Sequence, residues 1–154
     1  MTTPVSHKAT TLTLQRTFPA ARERVFRAWT ERERLQQWFR PMGRGVTISE
    51  LDLRVGGSYR FDLEDGSDAI VGTYLEIVRP EKLVFTWSFA ATHGQETVVT
   101  VEFIERGPTT EVVLTHERFS SKDLRDLHLA GWQSLLDQLT EVLSTNLDDR
   151  VRFG

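Results

Sequence analysis

Cysteine is absent from the 154 residues, which removes disulfides, thiol nucleophiles and thiolate metal sites from consideration. No apolar run reaches the roughly 18 residues that a membrane-spanning helix needs. The leading segment, MTTPVSHKATTLT, lacks the basic stretch followed by an apolar one that marks a secretory signal. Basic residues form no block, and the formal net charge is -3, so the positive stripe that displaces counterions from nucleic acid is missing. Linkers, internal repeats and low-complexity tracts are missing too. These absences lead to the expectation of one soluble, cytoplasmic domain over residues 1–154, with no nucleic-acid partner and no membrane insertion.

What is present is periodicity. KATTLTLQRTF alternates, with Leu12, Leu14, Arg16 and Phe18 on one face, and reads as a half-buried strand. Pro19 stops it, and residues 21–30 switch to helical spacing with Val25, Phe26 and Trp29 on one side. A second short helix carries Leu35, Trp38 and Phe39 before Pro41, Gly43 and Gly45 break it. From Val46 to Phe119 strand follows strand, punctuated by Gly56-Gly57, Asp65-Gly66, Arg79-Pro80-Glu81 and Arg106-Gly107-Pro108. Short connections imply an antiparallel sheet. The chain closes in one long helix, from Ser121 to about Leu147, with Ser120 as its expected N-cap and Phe119 beside it as a staple.

That helix is uneven. Trp132, Leu135, Leu136, Leu139, Leu143 and Leu147 form a stripe, while His128 and Arg125 fall within about 40° of Trp132 on the same wheel. A solid core fills such positions with aliphatic groups, because an unpaired buried cation costs several kcal/mol. The front half of the helix is therefore expected to face a space holding water or a ligand. Gly131 costs about 1 kcal/mol relative to alanine there, and a bulky side chain pressing on its backbone is the expected reason. Opposite it, Tyr59, Phe61, Trp87, Phe89 and His116 occupy inward strand phases, and Trp38 and Phe39 come from the short helices. Phe85, Phe103 and Trp29 read as plain core.

Taken in order, FPAARERVFRAWTERERLQQWF, LDLRVGGSYRF, GTYLEIVRPEKLVFTW, VVLTHERF and HLAGWQSLLDQL resemble the activator of heat-shock-protein-90 ATPase homologue-like branch of the START-related (SRPBCC) superfamily. The resemblance implies an α+β helix-grip fold: a curved antiparallel sheet of six or seven strands wrapped around a long C-terminal helix, with two short helices after the first strand. It also implies a cavity between sheet and helix that in relatives receives lipids, polyketides or other hydrophobic molecules. By position, Trp38, Tyr59, Phe61, Trp87, His116, His128 and Trp132 match its lining. Relatives often read Asp-Pro-Glu-Arg-Leu and Trp-Trp-Gly-Pro where this chain has Glu31-Arg32-Glu33-Arg34-Leu35 and Trp38-Phe39-Arg40-Pro41. Arg40 near the entrance would alter the charge preference.

Three functions compete. The first is binding of a small hydrophobic or amphipathic molecule by Trp38, Phe39, Tyr59, Phe61, Trp87, Phe89, His116, Arg125, His128 and Trp132, in a carrier, sensor or sequestering role. For each polar member the rival explanation is a side chain satisfied by backbone or water. The second is a cofactor-independent enzyme in which His116 and His128 exchange acid and base roles. Neither a nucleophile nor an oxyanion hole is evident, HERFS is not a His-Glu-x-x-His helix, His7 and His93 sit in expected loops, and no metal or cofactor site is expected. The third is an interaction module stimulating a chaperone ATPase, as the family's name suggests. A homodimer is the remaining partner considered.

Overall fold

The computed structural model describes residues 3–4, 9–91 and 95–144. Its elements run β1 (Thr3–Pro4), β2 (Thr11–Phe18), α1 (Arg22–Thr30), α2 (Arg32–Trp38), β3 (Val46–Leu51), β4 (Ser58–Leu63), β5 (Ala69–Val78), β6 (Lys82–Phe89), β7 (Thr97–Arg106), β8 (Thr109–Glu117) and α3 (Lys122–Ser144). The strands form one antiparallel sheet in the order β1-β2-β8-β7-β6-β5-β4-β3. The two-residue β1 aside, seven strands make the curved sheet of a helix-grip fold, as expected. Register shifts at Ile48/Glu50 and Tyr74/Glu76 add the local twist that lets such a sheet bend around a helix.

Alternation decides which face is buried. Leu12, Leu14 and Phe18 of β2, Val99, Val101 and Phe103 of β7, and Val112, Leu114 and His116 of β8 all point inward and are buried. Trp132, Leu135, Leu136, Leu139 and Leu143 of α3 lie against them. At about 25 cal/mol per Å² of apolar surface, this shared face is the largest stabilising term available to the fold. Arg16, inward on β2, is also buried; it reaches across to α3 and donates to Asp137 Oδ1 at 2.6 Å and Thr140 Oγ1 at 3.0 Å.

The two short helices close one end. Trp29 stacks on Trp132 with ring centroids 6.0 Å apart and meets Trp38 edge-on at 4.9 Å. The start of α3 differs from expectation by one residue: Ser121, not Ser120, is the cap, its Oγ accepting from the Leu124 amide at 3.1 Å. Two adjacent serines satisfy the same preference, and the backbone decides between them. Leu147, like His7 and His93, lies outside the described residues. No described helix is long and apolar enough to cross a membrane.

Candidate functional site

Beside the contacts that His128 and Trp132 make with the sheet, a gap opens beneath the front turns of α3. The gap is a cleft enclosing about 850 Å³, its open mouth included. From the sheet come Leu63 of β4, Ile70 of β5, and Trp87 and Phe89 of β6; from α3 come Leu124, Leu127, His128, Gly131, Trp132 and Leu135. Pro41, Met42 and Arg44, just after α2, form the remaining rim. The alternation of β6 and the helical spacing of 124, 127, 128, 131 and 135 aim these groups into one space. Behind it, Phe39, Tyr59, Phe61, Trp87 and Trp132 line, with neighbouring core residues, a tight inner void with room for little more than a water molecule.

The structure thus divides the ten residues expected to bind a ligand. Trp87, Phe89, His128 and Trp132 stand on the wall of the open cleft, and Phe39, Tyr59 and Phe61 stand behind it. Trp38, His116 and Arg125 stand on neither wall. Trp38 is fully buried and donates Nε1–H to the Ala28 carbonyl at 2.8 Å. Arg125 is buried alongside its neighbour Asp126, with Nε and Nη2 donating to Oδ1 at 3.0 and 2.8 Å. Tyr59 donates its hydroxyl to the Thr86 carbonyl at 2.6 Å, and burial pushes its pKa well up.

The histidines form a network whose proton positions follow from chemistry. An indole N–H can only donate, so Trp132 Nε1–H makes Nδ1 of His116 an acceptor at 3.0 Å. The proton of the neutral ring then sits on Nε2 and is donated to Thr97 Oγ1 at 2.7 Å, while the Thr97 hydroxyl donates to the Trp87 carbonyl at 2.9 Å. Trp87 Nε1–H likewise donates to His128 Nε2 at 3.3 Å, leaving His128 Nδ1–H for the Leu124 carbonyl at 3.0 Å. Burial lowers the pKa of both rings. The nearby His128 lowers that of His116 further, whereas the Leu124 carbonyl partly offsets the shift of His128. Their ring centroids are 5.3 Å apart. Every nitrogen of the pair already has a partner, so neither ring presents a free lone pair or N–H to the cleft.

Gly131 overturns the packing expected of it: a Cβ built there meets nothing within 4 Å. The rim residues Pro41, Met42 and Arg44 escaped sequence reasoning because a turn has no periodicity to say which way it faces. Leu63 shares phase with Tyr59 and Phe61, and Leu124 and Leu135 with His128, so the sequence carries a signal for these three; Leu127 lies about 100° from His128 on the wheel and carries none. Arg44 donates to Asp65 Oδ2 at 2.6 Å across the rim. Among the described residues no group of three or more His, Cys, Asp or Glu is placed to hold a metal ion.

Comparison with known proteins agrees with this fold. The family model for "Activator of Hsp90 ATPase homolog 1-like protein" matches residues 19–144. A crystal structure of a Chromobacterium violaceum protein is 28% identical, with 87% of this chain and 97% of that one covered and a TM-score of 0.79. An HSP90 activator from Plasmodium falciparum is 29% identical, covering 88% and 96%, with a TM-score of 0.70. A protein of the same family from Silicibacter pomeroyi is 25% identical, covering 88% and 99%, with a TM-score of 0.77. No match was found among curated proteins.

Proposed function

The chain belongs to the activator of Hsp90 ATPase homolog 1-like family, and on that premise we propose that it binds a small apolar or amphipathic molecule in the cleft beneath the front of α3. The observation that carries this reading is the cleft wall itself, where aromatic and aliphatic side chains surround an open space and Arg44 is the one charged side chain. Apolar surface kept in contact with water is unfavourable, and an apolar guest removes it from water. Arg44 at the rim is ion-paired with Asp65 through Nη1, and an acidic head group left at the mouth would share that guanidinium through its other N–H groups. Acid–base catalysis by His116 and His128 draws no support from rings whose nitrogens are already bonded.

Titration with dodecanoate, followed by the fluorescence of Trp87 and Trp132, tests the proposal. A saturable change is expected, and Leu124→Glu should weaken it by about tenfold or more, because it sets an unpaired carboxylate against an apolar guest. Leu124 lies in the first turn of α3 and is partly exposed, so a carboxylate there is compatible with the helix dipole. No saturable change in the parent protein, with either dodecanoate or 1-anilinonaphthalene-8-sulfonate, would sink the proposal. Likeness to the Plasmodium activator favours a second reading, stimulation of a chaperone ATPase. In that case the outer surface is the working part, and the stimulation survives Leu124→Glu.

A further inference from the structure

Glycine in a helix interior weakens the helix, so a structure that keeps one needs a reason. Two reasons are common within a protein: a backbone angle closed to other residues, or a neighbour too near for a Cβ. Among the described glycines, Gly43, Gly56, Gly66 and Gly107 have positive φ. At Gly45, Gly57 and Gly72 a Cβ would lie 2.1 Å from Glu64 Oε1, 2.0 Å from the Asp52 carbonyl and 2.0 Å from the Thr86 carbonyl. Gly131 alone has neither reason. It sits within the 23-residue α3, its missing Cβ would meet nothing within 4 Å, and it lies on the cleft wall between His128 and Trp132.

We propose that Gly131 is the specificity-determining position of the cleft, its absent side chain leaving a slot in which a rigid ring system of an anionic amphiphile lies against the helix backbone. This rests on the binding function proposed above and names the class of ligand. A flexible alkyl chain rotates past one added methyl group, whereas a fused ring has no torsion with which to yield. The surroundings fit a ring: Trp87 and Trp132, 5.2 Å apart and tilted by 46°, and Phe89, 5.9 Å from His128, line the same cleft as Gly131 with aromatic surface. The reason for the glycine therefore lies in the guest.

The test compares two anionic probes, 1-anilinonaphthalene-8-sulfonate as the ring and dodecanoate as the chain, on the parent protein, Gly131→Ala and Gly131→Leu. Each probe carries one negative charge, so Arg44 meets both alike. Alanine should raise Tm by about 2–4 °C through helix propensity. It should weaken the ring probe about tenfold through overpacking while changing dodecanoate affinity by less than about threefold. Leucine should weaken both. A Tm that falls in Gly131→Ala, or ring binding that is unchanged while Tm rises, overturns the proposal. A parent protein that binds dodecanoate but not the ring probe overturns the slot and leaves the binding function standing. Binding of neither removes both.

Discussion

Trp132 imposes a direction on everything it touches, because its indole N–H has no acceptor role to exchange. Through it His116 is held as one tautomer, and Thr97 relays that order to the backbone of β6. The cost of breaking such a chain lies in the groups left behind without partners, more than in the bond removed. Thr97→Val keeps the shape but strands the His116 Nε2–H in a buried site. A loss of about 1–3 kcal/mol is expected, read as a lower urea midpoint at unchanged m-value. A change below about 0.5 kcal/mol would mean that the threonine hydroxyl does not hold the ring.

At the scale of elements, α3 is fastened in two ways, by aliphatic packing and an ion pair at the rear and by the hydrogen-bonded rings of His128 and Trp132 at the front. Leu136, Leu139 and Leu143 pack on the sheet, Arg24 Nη2 donates to the Leu143 carbonyl at 2.8 Å, and Arg16 grips Asp137 and Thr140. Arg16 is buried while Asp137 is largely exposed, so the two ends of the pair behave differently when cut. Asp137→Ala leaves a buried guanidinium short of its counter-charge and should cost about 1–2 kcal/mol. Arg16→Met, which fills the same space with apolar atoms, should be neutral or stabilising. Denaturant midpoints of the two variants decide this, and a larger loss for Arg16→Met would count against it. Much of this element was legible beforehand: the stripe from Trp132 to Leu143 and the inward phase of Arg16 follow from periods of 3.6 and 2. What periodicity cannot supply is the partner across the gap. Trp38 and Arg125 carry the right phase for a ligand, yet local acceptors at Ala28 and Asp126 had already taken their polar ends. The rim at Met42 and Arg44 is brought to the cleft only by the path of the chain after α2.

For the molecule as a whole, the buried His116 and the half-buried His128 set the response to mild acid. Their folded pKa values lie below the ordinary value of about 6.5, so the unfolded chain binds more protons than the native one as pH falls through that value. Stability is fully present above about pH 7 and declines from there toward pH 5. Carboxylates contribute in a lower window. Asp62 is held below the usual carboxylate range by Ser49 and Arg60, Asp65 by Arg44 and Ser67, and Asp126 by Arg125 and Lys122. Their contributions are present above about pH 4 and fade only beneath it. Urea midpoints recorded from pH 8 to 5, with histidine ring NMR titrations alongside, check the assignment; stability that rises toward pH 5 contradicts it.

The uneven fastening of α3 has one more consequence. A guest beneath Leu127 and Gly131 would lie between the front turns and the sheet residues Trp87 and Phe89, while the rivets at Arg16 and Leu143 belong to the rear turns. The cleft already opens at the rim of Pro41, Met42 and Arg44, so under the proposed role a guest would enter without prising the helix from the hydrophobic interior. On that proposal, cargo exchange would be uncoupled from the integrity of the vessel.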